Sequence, residues 1–292
     1  MSRAVKQDVS APEEVRALSR IFSTTYLAKL IDQKSRPDAL ERLRWIQATY
    51  GLGYEPVSII LSRAYETLVE KYRNEHVFKE AVTQWWINRS GNRSSVGMVF
   101  ELRSGVSKLD VLCGIGLSHA LEIKTDFDQP TRLARQLCAY YERFPRVSLV
   151  VSNRSVAKFE SSLAPEVGII SVSERGSASV YRVPVARFDS LSKSSMISLL
   201  RRSELLSLGA WFGCDMSSVP NTRLRLELLK CVATVERAAL SDHIARLIGR
   251  RSNRIDVASI RELPRGIRSL VVKLDLSGEQ YSELKSVLAI AL

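Results

Sequence analysis

Asp110, Glu122 and Lys124 are the residues whose types and spacing could do chemistry. Glu122 and Lys124 stand two apart in "HALEIKT", and Asp110 stands in "KLDVLCG"; both stretches alternate apolar with polar residues. In an extended chain, side chains two apart share a face. Leu121 and Ile123 then line one face, with Glu122 and Lys124 on the other. By the same rule Leu109, Val111 and Cys113 share a face, and Asp110 points away from them. Gly114 and Gly116 mark a turn between the two stretches, which predicts a hairpin that brings Asp110 beside Glu122 and Lys124. Two carboxylates held together repel, and a divalent cation that favours hard oxygen donors, Mg²⁺ or Mn²⁺, relieves the repulsion. A lysine next to them can orient or deprotonate water, or stabilise developing charge. A phosphodiester is the natural substrate for such a group. Taken alone, the acid, acid and lysine pattern fits a cross-strand ion pair on a solvated face better.

The elements that must position these residues are legible in the period of the sequence. Three helical patterns come first. "SAPEEVRALSRIF" has Ser10 as cap and Pro12 early; "PDALERLRWIQATYGLG" runs from Pro37 and stops at Gly51; a long pattern covers Val57 to Ile87. In the last of these, Leu68, Tyr72, Val82 and Trp86 form an apolar stripe that includes Glu75, while Glu80 lies on another face. A carboxylate on a buried stripe needs a partner. "NRSGNRSS" ends the helical part, and the period changes to two in "MVFELR", "KLDVLCG" and "HALEIKT". Glu101, in the first of these strands, projects opposite Phe100 and Leu102, toward the same site. A helix ("TRLARQLCAYYERF"), a buried strand ("RVSLVVS"), a short helix ("SVAKFESSLA") and two strands ("GIISVS", "ASVYRVPV") follow. From Phe188 the chain is mostly helical. The expectation is an α/β fold with a mixed sheet flanked by helices. It divides into a helical region at 1–58, a core at 59–185 and a basic, mostly helical region at 186–292.

This arrangement resembles the PD-(D/E)xK nuclease superfamily, whose restriction-endonuclease-like αβββαβ core carries an acid on its second strand and E-x-K on its third. Asp110 and the run Glu122-Ile123-Lys124 stand at those places, with Leu109 where the family often has proline. "QLCAY", Gln136 to Tyr140, is similar to the Q-x-x-x-Y motif of the RecB-like branch. The chain looks most like a group of uncharacterised bacterial and phage nuclease-like proteins with a "YRNE…FK" helix and an "EIKT" strand. The resemblance spans Tyr65 to Val183. It implies a catalytic set of Asp110, Glu122, Lys124, Gln136 and Tyr140. It implies metal ligation by Asp110, Glu122, the Ile123 carbonyl and the helix acid Glu75. Asp128, before Gln129 and Pro130, is more simply a turn residue.

The 292 residues carry 43 Lys and Arg against 31 Asp and Glu, a net charge of +12, which favours a polyanionic partner. Arg132, Arg135, Arg143 and Arg146 surround the Gln136 helix, interleaved with Tyr140, Tyr141 and Phe144, as a phosphate-and-stacking surface would require. Arg250, Arg251 and Arg254 sit in "GRRSNR", between two short helical patterns that scan as a helix-turn-helix with Ser241 capping the first. No run approaches the ~20 apolar residues of a membrane span. The start has no apolar signal region, and Cys113, Cys138, Cys214 and Cys231 are scattered, so reduced thiols and a cytoplasmic location are expected. The sequence has no Walker loop, G-x-S-x-G or G-x-G-x-x-G. The leading expectation is a metal-dependent nuclease, with DNA favoured as substrate and a homodimer or protein partner engaged through the helical ends. The alternatives are an RNA-cleaving toxin or defence effector on the same fold, and a non-catalytic nucleic-acid-binding regulator.

Overall fold

The computed structural model describes residues 13–51, 53–91, 93–104, 107–114, 118–129, 133–252 and 254–292. The expected cap at Ser10 and Pro12, the turn residue Gly116 and the basic residue Arg132 lie outside them. The described chain begins with five helices, α1 (Glu13–Ser19), α2 (Thr24–Ile31), α3 (Arg36–Thr49), α4 (Val57–Lys71) and α5 (Glu75–Arg89). Strands β1 (Met98–Ser104), β2 (Ser107–Cys113) and β3 (His119–Ile123) follow, then α6 (Leu133–Tyr141), β4 (Arg146–Ser152), α7 (Val156–Glu160), β5 (Gly168–Val172) and β6 (Ala178–Arg182). The remainder holds α8 (Lys193–Ile197), α9 (Arg202–Trp211), α10 (Leu224–Cys231), α11 (Arg237–Gly249), α12 (Val257–Glu262), α13 (Arg268–Leu274) and α14 (Gly278–Leu288). Among the described residues, no helix is long and apolar enough to cross a membrane.

The six strands form one sheet in sequence order. β1, β2 and β3 are antiparallel neighbours; β3, β4 and β5 are parallel; β6 returns antiparallel. A parallel neighbour requires a crossover, and α6 supplies it between β3 and β4. The central strands are apolar on both sides because both faces are covered. One core joins α1 to α5 and α12 to α14 to Phe100, Val111, Cys113, Leu121, Ile123 and Val150. The other joins α6 to α11 to Leu102, Leu109, Leu112, Ala120, Leu149 and Ile169. The carboxy-terminal third therefore splits between the two faces.

The memberships of those cores correct one expectation. Leu109 packs with Leu102 on one face, while Val111 and Cys113 pack with Phe100 on the other. Both strands change face between these residues. The register passes from Phe100↔Val111 to Leu102↔Leu109, with Glu101 and Asp110 at the crossing. Glu101 makes the crossing with left-handed backbone, φ 57°. Such a conformation is rare for a residue with a Cβ and breaks the strict alternation of a strand.

Three further expectations change. The long helical pattern from Val57 to Ile87 is two helices, because Asn74 caps α5 by accepting from the Val77 N–H at 3.3 Å. Cys214 and Cys231 are joined in a disulfide with Cα atoms 6.4 Å apart, since the fold brings the end of α10 beside the segment after α9. Cys113 and Cys138 are free. Finally, α11 begins at Arg237 with Ser241 buried inside it, and α11 and α12 serve different cores, so they do not stack as a helix-turn-helix. The end of α11 instead presses on β2: a Cβ on Gly114 would meet the Gly249 Cα at 3.2 Å.

Candidate functional site

The hairpin of β2 and β3 places Asp110 and Glu122 together. Val111 pairs with Leu121, which sets Asp110 and Glu122 at neighbouring register positions. The Ile123 N–H donates to Asp110 Oδ2 at 2.8 Å, tying the acid of one strand to the backbone of the next. Glu122 is wholly buried, and its neighbour Lys124 is buried nearly as deeply. Lys124 Nζ donates to Glu122 Oε1 at 2.7 Å and to Gln136 Oε1 at 3.3 Å. Tyr140 OH donates to Glu122 Oε2 at 2.8 Å. Gln136 and Tyr140 lie four apart on α6, so one helix face delivers both side chains. Each oxygen of a buried carboxylate thus has its own donor, as a charge removed from water requires.

Asp110 is also buried. Burial, then the charges of Glu122 and Glu75, push its carboxyl up to about 8. The physical content is a crowd of three acids sharing one region. Glu75 reaches it from the first turn of α5, although the phase read from sequence was wrong. With the helix broken before Asn74, Glu75 is half exposed and bonds Lys79 Nζ at 2.8 Å, one turn on. Glu80 is the buried acid of α5, and its Oε2 accepts from the Ser269 N–H at 2.9 Å. His119, at the start of β3, is buried with its ring nitrogen 2.8 Å from Ser148 Oγ. Burial, helped by the charge of Arg146, pulls its imidazole down to about 3.

A second polar group adjoins the first. Glu101 Oε1 accepts from Lys79 at 3.1 Å and also from Lys273 of α13, and its Oε2 accepts from Lys108. Burial would raise the Glu101 carboxyl, but the bonds from Lys108 and Lys273 and the charge of Lys79 hold it far below the usual range. Burial would lower the Lys79 ammonium; Glu75, Glu101 and Asp110 hold it up instead. Sequence reasoning gave none of the three lysines a role, although Lys79 ends the "YRNE…FK" motif. Lys108 had a signal, two residues before Asp110, and Lys79 had one, four residues after Glu75. Lys273 had none.

Other expected residues lie elsewhere or do other work. Tyr140, Tyr141 and Phe144 are core side chains, so they offer no stacking surface. Arg135 and Arg146 are exposed beside them, while Arg143 turns back to the Ala139 carbonyl at 2.7 Å. Arg251 is committed to the interior, pairing Glu204 and donating to the Leu199 carbonyl at 2.9 Å. Arg254 pairs Asp275 at 3.3 Å, and Arg250 stands exposed at the end of α11. Asp128 is a turn residue, accepting from the Thr125 N–H at 2.9 Å and its hydroxyl at 2.8 Å.

Among the described residues, no group of three or more His, Cys, Asp and Glu side chains is arranged as a metal cage. Mg²⁺ does not need one: it is commonly held by one or two carboxylates and keeps several waters. Asp110 and Glu122, crowded and buried, have the oxygen chemistry for that role.

The family model described as bacteriophage P4 protein cII matches residues 69–263, which include Asp110, Glu122, Lys124, Gln136 and Tyr140. Protein cII of Enterobacteria phage P4 is 23% identical over 204 residues, covering 64% of this chain and 77% of that protein. No solved structure matches.

Proposed function

The chain belongs to the bacteriophage P4 protein cII family, and we propose that within that family it is a metal-dependent nuclease of PD-(D/E)xK type, hydrolysing phosphodiester bonds in DNA. One observation carries the reading. Glu122 of β3, Lys124 just after that strand, Asp110 of β2, and Gln136 and Tyr140 of α6 converge, although the sequence separates them by up to 30 positions. A solvated-face ion pair would not be buried, nor would it recruit a glutamine and a tyrosine from the crossover helix.

Asp110, Glu122 and the Ile123 carbonyl would hold the cation, with Glu75 at the edge of the set. Bound there, it would neutralise phosphate charge and lower the pKa of its water. Lys124 orients the attacking water and stabilises the charge that develops on the phosphate. Gln136 and Tyr140 fix the Lys124 and Glu122 side chains, so no reorganisation is needed at the moment of reaction. A second reading, a nucleic-acid-binding regulator without catalysis, is favoured by one feature: Lys124 and Tyr140 already satisfy both Glu122 oxygens. The experiment is incubation of plasmid DNA and of RNA with the full chain in Mg²⁺ or Mn²⁺, with chelator and Asp110→Asn as controls. Cleavage that needs the metal and Asp110 supports the nuclease. Binding without cleavage in any metal supports the regulator.

A further inference from the structure

Glu101 is an anomaly that the hydrolytic set does not use. It is a glutamate in left-handed backbone, φ 57°, at the point where β1 changes face. Such backbone is unfavourable for an L side chain, and strained residues of this kind gather at ligand-binding places. Its carboxylate receives three ammonium groups, from Lys79 of α5, Lys108 of β2 and Lys273 of α13. Lys79 also pairs Glu75, so three ammonium groups face two carboxylates and exceed them by one charge. Three lysines drawn from three elements make a seat for an anion, and a carboxylate has the same single charge and paired acceptor oxygens as a phosphodiester.

We propose that Lys79, Lys108 and Lys273 form a seat for a backbone phosphate of nucleic acid, that Glu101 fills it in the free protein, and that an incoming strand displaces the Glu101 carboxylate. The seat adjoins the acids: Lys108 precedes Asp110 by two residues, and Lys79 is bonded to Glu75. It is open on the side of Lys108, whose side chain is 52% exposed, and closes toward Lys79, at 13%. An exposed pair exchanges its partner at low cost. Lys273 lies beyond the residues 69–263 that the family model matches. The inference deepens the nuclease reading and rests on it for the identity of the ligand.

The test uses the full chain and a fluorescein-labelled DNA duplex, with anisotropy titrations in chelator over a range of salt. Glu101→Gln should bind roughly tenfold tighter, as one charge-assisted contact is gained, and its affinity should fall more steeply with salt by about one phosphate's worth. Lys273→Met and Lys108→Met should bind more weakly with a shallower salt slope. Thermal melts check folding; if Glu101→Gln unfolds, the two lysine variants, both at exposed positions, decide the matter. Lysine variants with wild-type affinity and slope, or a folded Glu101→Gln that binds no tighter, would overturn the proposal. Chelator separates this from hydrolysis. A chain that binds as described and never cleaves loses only the nuclease reading, and one that cleaves without these shifts loses only the phosphate seat.

Discussion

Glu122 and Glu101 are both carboxylates clasped by lysine near the crossing of β1, β2 and β3, and they are built for opposite ends. The Glu122 side chain is 0% exposed and that of Lys124 5%. Around Glu101 the lysines come from α5, β2 and α13, and their side chains are 13% (Lys79), 52% (Lys108) and 29% (Lys273) exposed. A buried pair cannot part without stranding a charge, whereas an exposed one can trade its partner for another anion. The same chemistry therefore gives a fixed component in one place and an exchangeable one two strands away.

The sharpest way to break this contrast is Lys124→Ala. It leaves Glu122 buried without its cation and should cost about 3–5 kcal/mol by denaturant unfolding. Adding Glu122→Gln should recover part of the loss. A cost under about 1 kcal/mol, the range of exposed pairs, would erase the distinction. If the proposed hydrolysis holds, a more conservative Lys124→Gln should lower cleavage by roughly 10²–10⁴-fold.

His119 extends the test along β3. Its imidazole is held at about 3 against an ordinary 6.5, so the folded chain binds fewer protons here than the unfolded chain. The stability it contributes is present above pH 6.5 and is lost as pH falls toward 3. Unfolding midpoints measured between pH 7 and 4 should drop, and His119→Gln should flatten that drop. An unchanged slope would mean that the start of β3 is wetter than its burial indicates.

Tyr140→Phe should cost about 1.5–3 kcal/mol, the value of a hydrogen bond to a charged group. Lys273→Met should cost the least, about 0–1 kcal/mol. Equal costs for the two, read from paired melts, would remove the difference between the fixed and the exchangeable carboxylate.

Much of this was legible in the chain. The run "RVSLVVS" is β4 to the residue, and the β2–β3 pairing followed from alternation and a glycine turn. The α/β class and the nearness of Asp110 to Glu122 and Lys124 followed in turn, whereas Gln136 and Tyr140 were named only through the resemblance to the Q-x-x-x-Y motif. What failed has local physical causes. The phase of Glu75 was read through Tyr72 to Asn74, where a cap resets the helix. The face of Leu109 was read through Asp110, where the strands cross over. The Cys214–Cys231 bond and the place of Lys273 depend on long-range packing that no local period encodes. Removing the chain after Val185, a natural way to isolate the core from its sequence, would strip α8 to α11 from one face of the sheet and α12 to α14 from the other.

The change of face at Glu101 and Asp110 also has a consequence in time. The cross-strand register skips these two residues, while Phe100↔Val111 and Leu102↔Leu109 hold on either side. A ladder interrupted there gives the edge of the sheet a natural point of local opening. In native-state amide exchange, the paired residues Leu102 to Ser104 and Ser107 to Leu109 should open at lower free energy than Val111 to Cys113, which the Leu121 to His119 ladder also protects. Opening of those pairs would pivot at the acids themselves, with β3 standing still beneath them.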